Sequence, residues 1–238
     1  MIRMRRADAR GHAEHGWLHS HHTFSFADYY DPAHMGHSVL RVINDDTVEA
    51  GKGFGTHPHR DMEIISYVLQ GELEHKDSMG NGSIIRQGDV QRMSAGTGVT
   101  HSEFNPSGTA RTHFLQIWIL PDRPGYAPGY EQKAFADGEL HNRFRCVASP
   151  DGRDGSLSLH QDACMHLAKL HAAQAAFTLA NGRCAYVHLA DGAMHMNGES
   201  MHAGDGAYID NAMALNFEAE GQAEILLFDL PAMARPHI

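Results

Sequence analysis

Short apolar runs separated by clusters of Gly, Asn, Asp and Pro recur along the whole chain. Runs of about four to eight residues between such turn signals are typical of β-strands rather than helices. The run at residues 112–120 is apolar at both alternating sets of positions, which predicts a strand buried on both faces. We therefore expect an all-β protein, with turns at residues 44–46, 77–82 and 87–89.

A segment rich in Pro and Gly, residues 121–130, interrupts this pattern before the strands resume. We predict an N-terminal domain over residues 1–122, a linker over residues 123–134 and a C-terminal domain over residues 135–238. The strands expected in the second half of the chain cover residues 144–148, 157–161, 164–170, 183–189, 193–196, 207–209, 214–218 and 223–230.

Two pairs of potential metal ligands have the spacing of side chains on one strand face. One residue separates His57 from His59, and one residue separates His101 from Glu103. Because side chains two apart in a strand point the same way, each pair can reach a single point. Three neutral imidazoles and a carboxylate suit a divalent transition metal and leave positions open for a substrate or oxygen. Spacing alone leaves the carboxylate undecided, because Glu63 shares strand parity with His57 and His59.

The two halves of the chain resemble each other. Residues 67–75 are similar to residues 186–195, and a Gly-Asp pair follows each segment at a comparable distance. Where the first copy continues to His101 and Glu103, the second copy has the mainly apolar residues 212–217. We interpret the chain as two domains of one kind, of which only the first has kept its metal ligands.

Composition narrows the remaining choices of partner and compartment. The chain has 238 residues and a formal net charge of -10, which argues against binding nucleic acid through its phosphates. It has no apolar run long enough to span a bilayer, and its charged N-terminus does not resemble a signal peptide. We therefore expect a cytoplasmic protein that binds neither nucleic acid nor membrane.

Two groups of residues are expected to have structural roles only. Cys146, Cys164 and Cys184 are widely spaced and odd in number, which favours buried apolar thiols in a reducing compartment. His75 has no partner at ligand spacing and is expected to have no catalytic role. The irregularly spaced N-terminal histidines are interpreted as surface or packing residues; they are His12, His15, His19, His21, His22, His34 and His37.

Two stretches of the first half resemble the two motifs of the cupin superfamily. Residues 51–63 resemble the first motif, although its closing glycine, Gly71, comes one residue late. Residues 88–105 resemble the second motif, with Ser94 where a proline is usual and with two extra residues before His101.

These departures from the usual motifs indicate one family within the superfamily. Residues 56–60 and 94–103 are similar to the pirin family, especially to bacterial members described as quercetin 2,3-dioxygenases. Residues 77–80, 160–162 and 226–230 extend the resemblance over essentially the whole chain. It implies a bicupin, in which two β-sandwich (jelly-roll) barrels pack together and only the N-terminal one binds metal.

The resemblance also implies a ligand set and a role for one residue. The metal ligands would be His57, His59, His101 and Glu103, with Glu103 rather than Glu63 as the carboxylate and as the catalytic base. The cofactor would be one divalent transition metal ion, with Fe(II) favoured over Mn, Ni, Co, Cu or Zn.

The activity implied is cleavage of the flavonol quercetin, or a related phenolic, by dioxygen at the 2,3-bond with release of carbon monoxide. An alternative is a metal- or redox-sensing regulatory protein that binds a protein partner and has little catalytic activity. A cupin isomerase is a third hypothesis, which the resemblance and the four-ligand set both disfavour.

Overall fold

A computed structural model describes residues 1–211 and 213–232 of the chain. The expectations that fall on residue 212 and on residues 233–238 lie outside the described residues. The strands of the first half are β1 (Ile2–Arg5), β2 (Gly11–Glu14), β3 (Leu18–His22), β4 (Leu40–Val48), β5 (Gly53–His59), β6 (Glu63–Gln70), β7 (Glu72–Asp77), β8 (Gly82–Arg86), β9 (Asp89–Ser94), β10 (Val99–Phe104), β11 (Thr112–Ile119) and β12 (Gly129–Ala134).

The second half is also built mainly from strands, three of them long. They are β13 (Arg145–Ser149), β14 (Leu157–Ser158), β15 (Cys164–Thr178), β16 (Arg183–Met196), β17 (Glu199–His202), β18 (Gly206–Ile209) and β19 (Ala214–Pro231). In the described part of the chain, the helical segments are one short α-helix, α1 (Asp137–Leu140), and the 3-10 turns Ala7–Ala9 and Arg153–Gly155. The prediction of an all-β protein is confirmed.

The N-terminal half is a sandwich of two sheets. A 7-stranded sheet has the order β12-β9-β6-β11-β4-β3-β2, and a 4-stranded sheet has the order β5-β10-β7-β8. Apolar side chains fill the space between the two sheets, among them Val68, Leu73, Ile85 and Phe114, none of which is exposed. This sandwich carries both pairs of predicted ligands, on the neighbouring strands β5 and β10.

The C-terminal half forms one 8-stranded sheet whose long strands β15, β16 and β19 fold back over their own apolar core. The largest core cluster of the chain lies between this sheet and the 7-stranded sheet, where residues such as Ile65 and Leu115 meet Leu167 and Phe228. The first strand, β1, pairs with β18 and so ties the N-terminus to the C-terminal sheet. Within the described residues the sheets form layers rather than closed barrels.

The turn predicted at residues 44–46 is wrong, because these residues lie inside β4. Asp45 accepts hydrogen bonds from Arg10, at 3.0 Å, and from His113, at 2.6 Å. Asn44 and Asp46, on the opposite face of the strand, line a cavity. A strand with polar partners on both faces has the same polar composition as a turn. The polar run at residues 44–46 therefore predicted a turn where the chain forms a strand.

Several segments are connected differently from what the sequence pattern predicts. Residues 129–134 of the predicted linker form β12, which pairs with β9 at the edge of the 7-stranded sheet. The strands predicted at 183–189 and 193–196 are one bent strand, β16, with bulges against β19.

The domain limits predicted from the sequence stay a prediction. Across residues 1–211 and 213–232, no helix has the length and apolar character needed to cross a membrane.

Candidate metal centre

Two paired strands bring three histidines together. β5 and β10 run antiparallel with His101 directly opposite His57. The Nε2 atoms of these two residues are 3.1 Å apart. The ring centroid of His59 lies 4.8 Å from that of His57 and 4.9 Å from that of His101. One donor atom from each histidine lies within 4.8 Å of the other two, so the strand spacing has produced the predicted convergence.

The hydrogen bonds of His57 determine which of its nitrogens can bind a metal. Its Nδ1 lies 2.8 Å from the backbone oxygen of Gly55. A carbonyl can only accept, so Nδ1 carries the proton and donates it to Gly55. The lone pair of His57 is then on Nε2, which faces His101. A backbone partner of this kind fixes both tautomer and ring orientation in metal sites.

Two of the three imidazoles, those of His59 and His101, are held in the neutral form that binds metals. Burial, helped by the neighbouring His57, lowers the pKa of His59 to about 4. Burial lowers the pKa of His101 to about 2, with further contributions from His57 and His59. Neutral imidazole is the ligand form, so no proton has to be displaced from these two residues near pH 7.

Glu103 lies on β10 two residues beyond His101, past a bulge in the pairing with β5. Its carboxylate is buried and accepts hydrogen bonds from Ser66 Oγ, at 3.1 Å, and from Gln116 Nε2, at 2.6 Å. Burial raises the pKa of Glu103 to about 7, although both hydrogen bonds lower it. A carboxylate oxygen of Glu103 lies within 4.8 Å of a ring nitrogen of His101, and Glu103 lines the same cavity as His57 and His59.

His75, for which the sequence spacing predicts no catalytic role, lies next to this cluster. It is fully buried on β7, where it pairs with Glu103 across the sheet. Its Nε2 donates to Asp77 Oδ2 at 3.1 Å, which leaves the lone pair on Nδ1. One donor atom each of His75, His101 and Glu103 lie within 4.8 Å of one another. The described residues therefore hold two overlapping ligand groups that share His101.

Glu63 lies elsewhere. Its carboxylate accepts hydrogen bonds from Ser94 Oγ, at 2.9 Å, and from the backbone nitrogen of His160, at 3.2 Å. The His160 Nδ1 atom is a further 3.2 Å contact, so Glu63 joins the N-terminal sheet to the segment before β15. Among the described residues Glu63 belongs to neither of the two ligand groups around His101.

A cavity of about 590 Å³ opens over the histidines. Its walls include five aromatic side chains and the polar residues Asn44, Asp46 and Gln116. The aromatic residues are Trp17, Phe26, Tyr29, Phe54 and Trp118. Cavities of this size and character accept small aromatic ligands.

The N-terminal segment contributes to the same cavity through His12, His15 and His22. No local sequence pattern indicates this contribution, because β2 and β3 reach the cavity only by pairing alongside β4. His22 is held there by a 2.8 Å contact between its Nδ1 and Asn44 Oδ1. Burial raises the pKa of Asp46 to about 7, and its Oδ1 atom has no hydrogen-bond partner in the described part of the chain.

The donor set fits a divalent transition metal ion. Imidazole nitrogens bind such ions at about 2.0–2.1 Å, so two of them on one ion are roughly 3.0–3.4 Å apart. The 3.1 Å between His57 Nε2 and His101 Nε2 falls in this range. The buried Nδ1 atom of His101 has no hydrogen-bond partner within the described residues, so its second nitrogen is not committed elsewhere.

The chain is similar to known proteins over nearly its whole length. The family model Pirin matches residues 3–119, and the model of a quercetinase C-terminal cupin domain matches residues 146–230. A quercetin 2,3-dioxygenase of Escherichia coli strain K12 is 51% identical over 232 residues, which are 97% of this chain and 99% of the relative.

Solved structures agree over the same length. The crystal structure of YhhW from Escherichia coli superposes with a TM-score of 0.94 at 50% identity, covering 99% of this chain and 100% of that one. A structure of the bacterial pirin YhhW in complex with nickel(II) superposes with a TM-score of 0.93 at 50% identity, covering 98% and 100%. YhaK from the same species is 31% identical, with a TM-score of 0.73 and coverage of 93% and 98%.

Proposed function

The chain belongs to the pirin family, and we propose that it is a metal-dependent dioxygenase that cleaves quercetin or a related phenolic, with release of carbon monoxide. One observation carries the proposal. His57, His59 and His101 form one cluster, and the buried carboxylate of Glu103, whose pKa is raised, lies beside His101. A cavity of about 590 Å³ with aromatic walls opens at His57, His59 and Glu103. The relatives named quercetin 2,3-dioxygenase support the same reaction class.

The metal would be held by His57, His59, His101 and Glu103. Fe(II) is the first choice for oxygen chemistry, while the nickel(II) complex of the related YhhW supports a site that accepts other divalent ions. When bound, the metal supplies Lewis acidity toward a substrate oxygen anion and redox chemistry toward dioxygen. His75 would support this set, since one of its ring nitrogens lies within 4.8 Å of a donor atom of His101 and of Glu103.

Glu103 would accept the proton of the flavonol 3-hydroxyl. Burial raises the pKa of this carboxyl to about 7, which is well matched to proton transfer near neutral pH. Ligation to a cation would oppose that rise in the pKa of Glu103. Gln116 and Ser66 keep the carboxylate directed into the cavity by donating to its two oxygens.

The cavity walls would orient the substrate. Trp118 stands edge-on to His59, with ring centroids 5.1 Å apart, and edge-on to Phe26 at 5.3 Å. A flat phenolic that packs against this aromatic wall would have its hydroxyl groups toward the histidines and away from bulk water. Asp46 and Asn44 offer polar partners for the other hydroxyl groups of the substrate.

The experiment is anaerobic loading with Fe(II), Mn(II), Ni(II), Co(II) or Cu(II), followed by oxygen uptake, loss of quercetin absorbance and detection of carbon monoxide. His57→Ala and Glu103→Gln are compared with Glu72→Gln, a control carboxylate that is exposed on β7. Turnover that depends on metal, survives in the control and is lost in both site variants supports the proposal.

Tight metal binding without oxygen uptake for any metal would overturn the proposal. That result would favour a metal- or redox-sensing protein that acts through a protein partner.

A further inference from the structure

A second group of metal-binding side chains lies in the C-terminal domain, on strands β13 and β15. Cys146 is directly opposite His166 in the antiparallel pairing of these strands. Cys164 precedes His166 by two residues, so both point to the same face of β15. The three side chains therefore meet on one face of the sheet. They lie in the half of the chain for which the sequence predicts no cupin metal ligands.

The atoms are close enough to share one ion. The Sγ atoms of Cys146 and Cys164 and one ring nitrogen of His166 lie within 4.8 Å of one another. Donors on a single tetrahedral zinc ion are roughly 3.4–3.8 Å apart, a spacing that lies inside this 4.8 Å limit. Both thiols are 9% exposed, and His166 is partly exposed.

The surroundings leave the cluster available for a cation. Two arginines lie nearby, but each already has a carboxylate partner. Arg145 Nε lies 3.3 Å from Glu139 Oε1, and Arg153 Nε lies 2.8 Å from Asp151 Oδ1. Their charges are therefore compensated locally. A cleft of about 510 Å³ borders Cys146 and His166 and leaves room for a fourth ligand such as water.

We propose that Cys146, Cys164 and His166 bind a second metal ion, of the thiophilic class that zinc represents. Two sulfurs and one imidazole are a donor set that selects soft or borderline ions over the hard ones. The centre at His57 and His101 contains nitrogen and oxygen donors only, so the two sites differ in metal preference. This proposal does not depend on the proposed dioxygenase activity.

The probe is Co(II) added to the full-length protein under reducing, anaerobic conditions. Thiolate ligands give cobalt an intense sulfur-to-metal charge-transfer band in the near ultraviolet, which the nitrogen and oxygen donors of the first centre do not produce. We expect this band in the wild type and in His57→Ala, and its loss in Cys146→Ser and in Cys164→Ser. Zinc stoichiometry should fall from about two to about one per chain in each cysteine variant.

Cys184→Ala is the matched control, because this third buried cysteine lies outside the cluster and its Sγ contacts the backbone oxygen of Pro231. His166→Asn is a second variant at a less buried position, and it should weaken zinc binding while the protein remains folded by circular dichroism. Absence of the charge-transfer band in reduced wild type would overturn the proposal. So would a band that persists in Cys146→Ser or Cys164→Ser, or isolation of these two residues only as a disulfide that fails to bind cobalt after reduction.

Discussion

The Nε2 atom of His57 lies 3.1 Å from the Nε2 atom of His101, across the pairing of β5 with β10. The Gly55 carbonyl holds the proton of His57 on its other nitrogen, so one lone pair is aimed at the space between the two rings. Two ring nitrogens at this separation have the spacing of neighbouring ligands on one transition metal ion.

His59→Ala should lower metal occupancy and reduce turnover more than about 100-fold, which is a larger effect than the 10–100-fold typical of residues that only support metal ligands. The reason is that His59 supplies one of the three clustered donors. Metal content measures the occupancy and oxygen uptake measures the turnover. His202→Ala is the control, because His202 is exposed. Full occupancy and turnover in His59→Ala would show that His59 is not a ligand.

Glu63→Gln should leave metal stoichiometry unchanged. Its carboxylate is engaged by Ser94 and His160 at the contact between the two halves of the chain. Loss of a charged acceptor there should lower the free energy of unfolding by about 1–3 kcal/mol. Metal titration and urea unfolding measure the two effects separately. Loss of metal in a folded variant would instead return Glu63 to the list of candidate ligands.

Much of this arrangement could be predicted from local spacing. The His57-x-His59 pair and the His101-x-Glu103 pair each lie on one strand face, because a strand has a period of two. The cupin and pirin resemblance then joined the two pairs into one site.

His75 was missed because its proximity to Glu103 depends on the pairing of β7 with β10, which no local pattern encodes. The same holds for His12 and His22, which reach the cavity through the pairing of β2 with β3 and of β3 with β4. The turn predicted at residues 44–46 failed for a related reason, since the polar partners of Asp45 come from distant strands.

Trp118→Ala should raise the KM for quercetin roughly tenfold with a smaller effect on kcat. The ring forms part of the cavity wall and packs edge-on against His59 at 5.1 Å. Loss of an aromatic contact with the substrate is worth about 1–2 kcal/mol, and about 1.4 kcal/mol is a factor of ten. Tyr30→Ala is the control, because Tyr30 is 71% exposed. An unchanged KM would place the substrate away from this wall.

Asp45→Asn should destabilise the protein by about 3 kcal/mol near pH 7. Burial raises the pKa of Asp45, but the hydrogen bond from His113 and the charge of Arg10 outweigh this and hold the pKa well below its usual value. The lowered pKa means that Asp45 stabilises the fold above the unfolded pKa of about 3.9, and that this contribution is lost as the pH falls toward the folded pKa.

Urea unfolding of both proteins across a pH series measures this effect. The difference in unfolding free energy should be largest near neutral pH and should shrink below about pH 4. Asp151→Asn, an exposed aspartate paired with Arg153, is the control and should change stability little. A difference for Asp45→Asn that is constant with pH would show that lost packing, rather than charge, causes the destabilisation.

Gln116→Leu should shift the acid limb of the pH–rate profile to higher pH and reduce turnover about 10–100-fold. Gln116 Nε2 donates to Glu103 Oε2 at 2.6 Å, and this hydrogen bond stabilises the charged carboxylate. Its removal therefore raises the pKa of Glu103 above the value of about 7 that burial and the two hydrogen bonds together produce. Because the base must be unprotonated to accept the substrate proton, activity then appears only at higher pH.

The pH dependence of kcat/KM at fixed metal occupancy checks this prediction for Gln116→Leu, and Ser66→Ala should shift the profile in the same direction because Ser66 donates to the other oxygen of Glu103. Gln174→Leu is a matched control, since Gln174 donates to Glu218 at 3.1 Å on the exposed part of the C-terminal sheet. A purely structural role for Gln116 would lower activity equally at every pH. An acid limb that stays in place in both variants would therefore rule out Glu103 as the base whose protonation limits turnover.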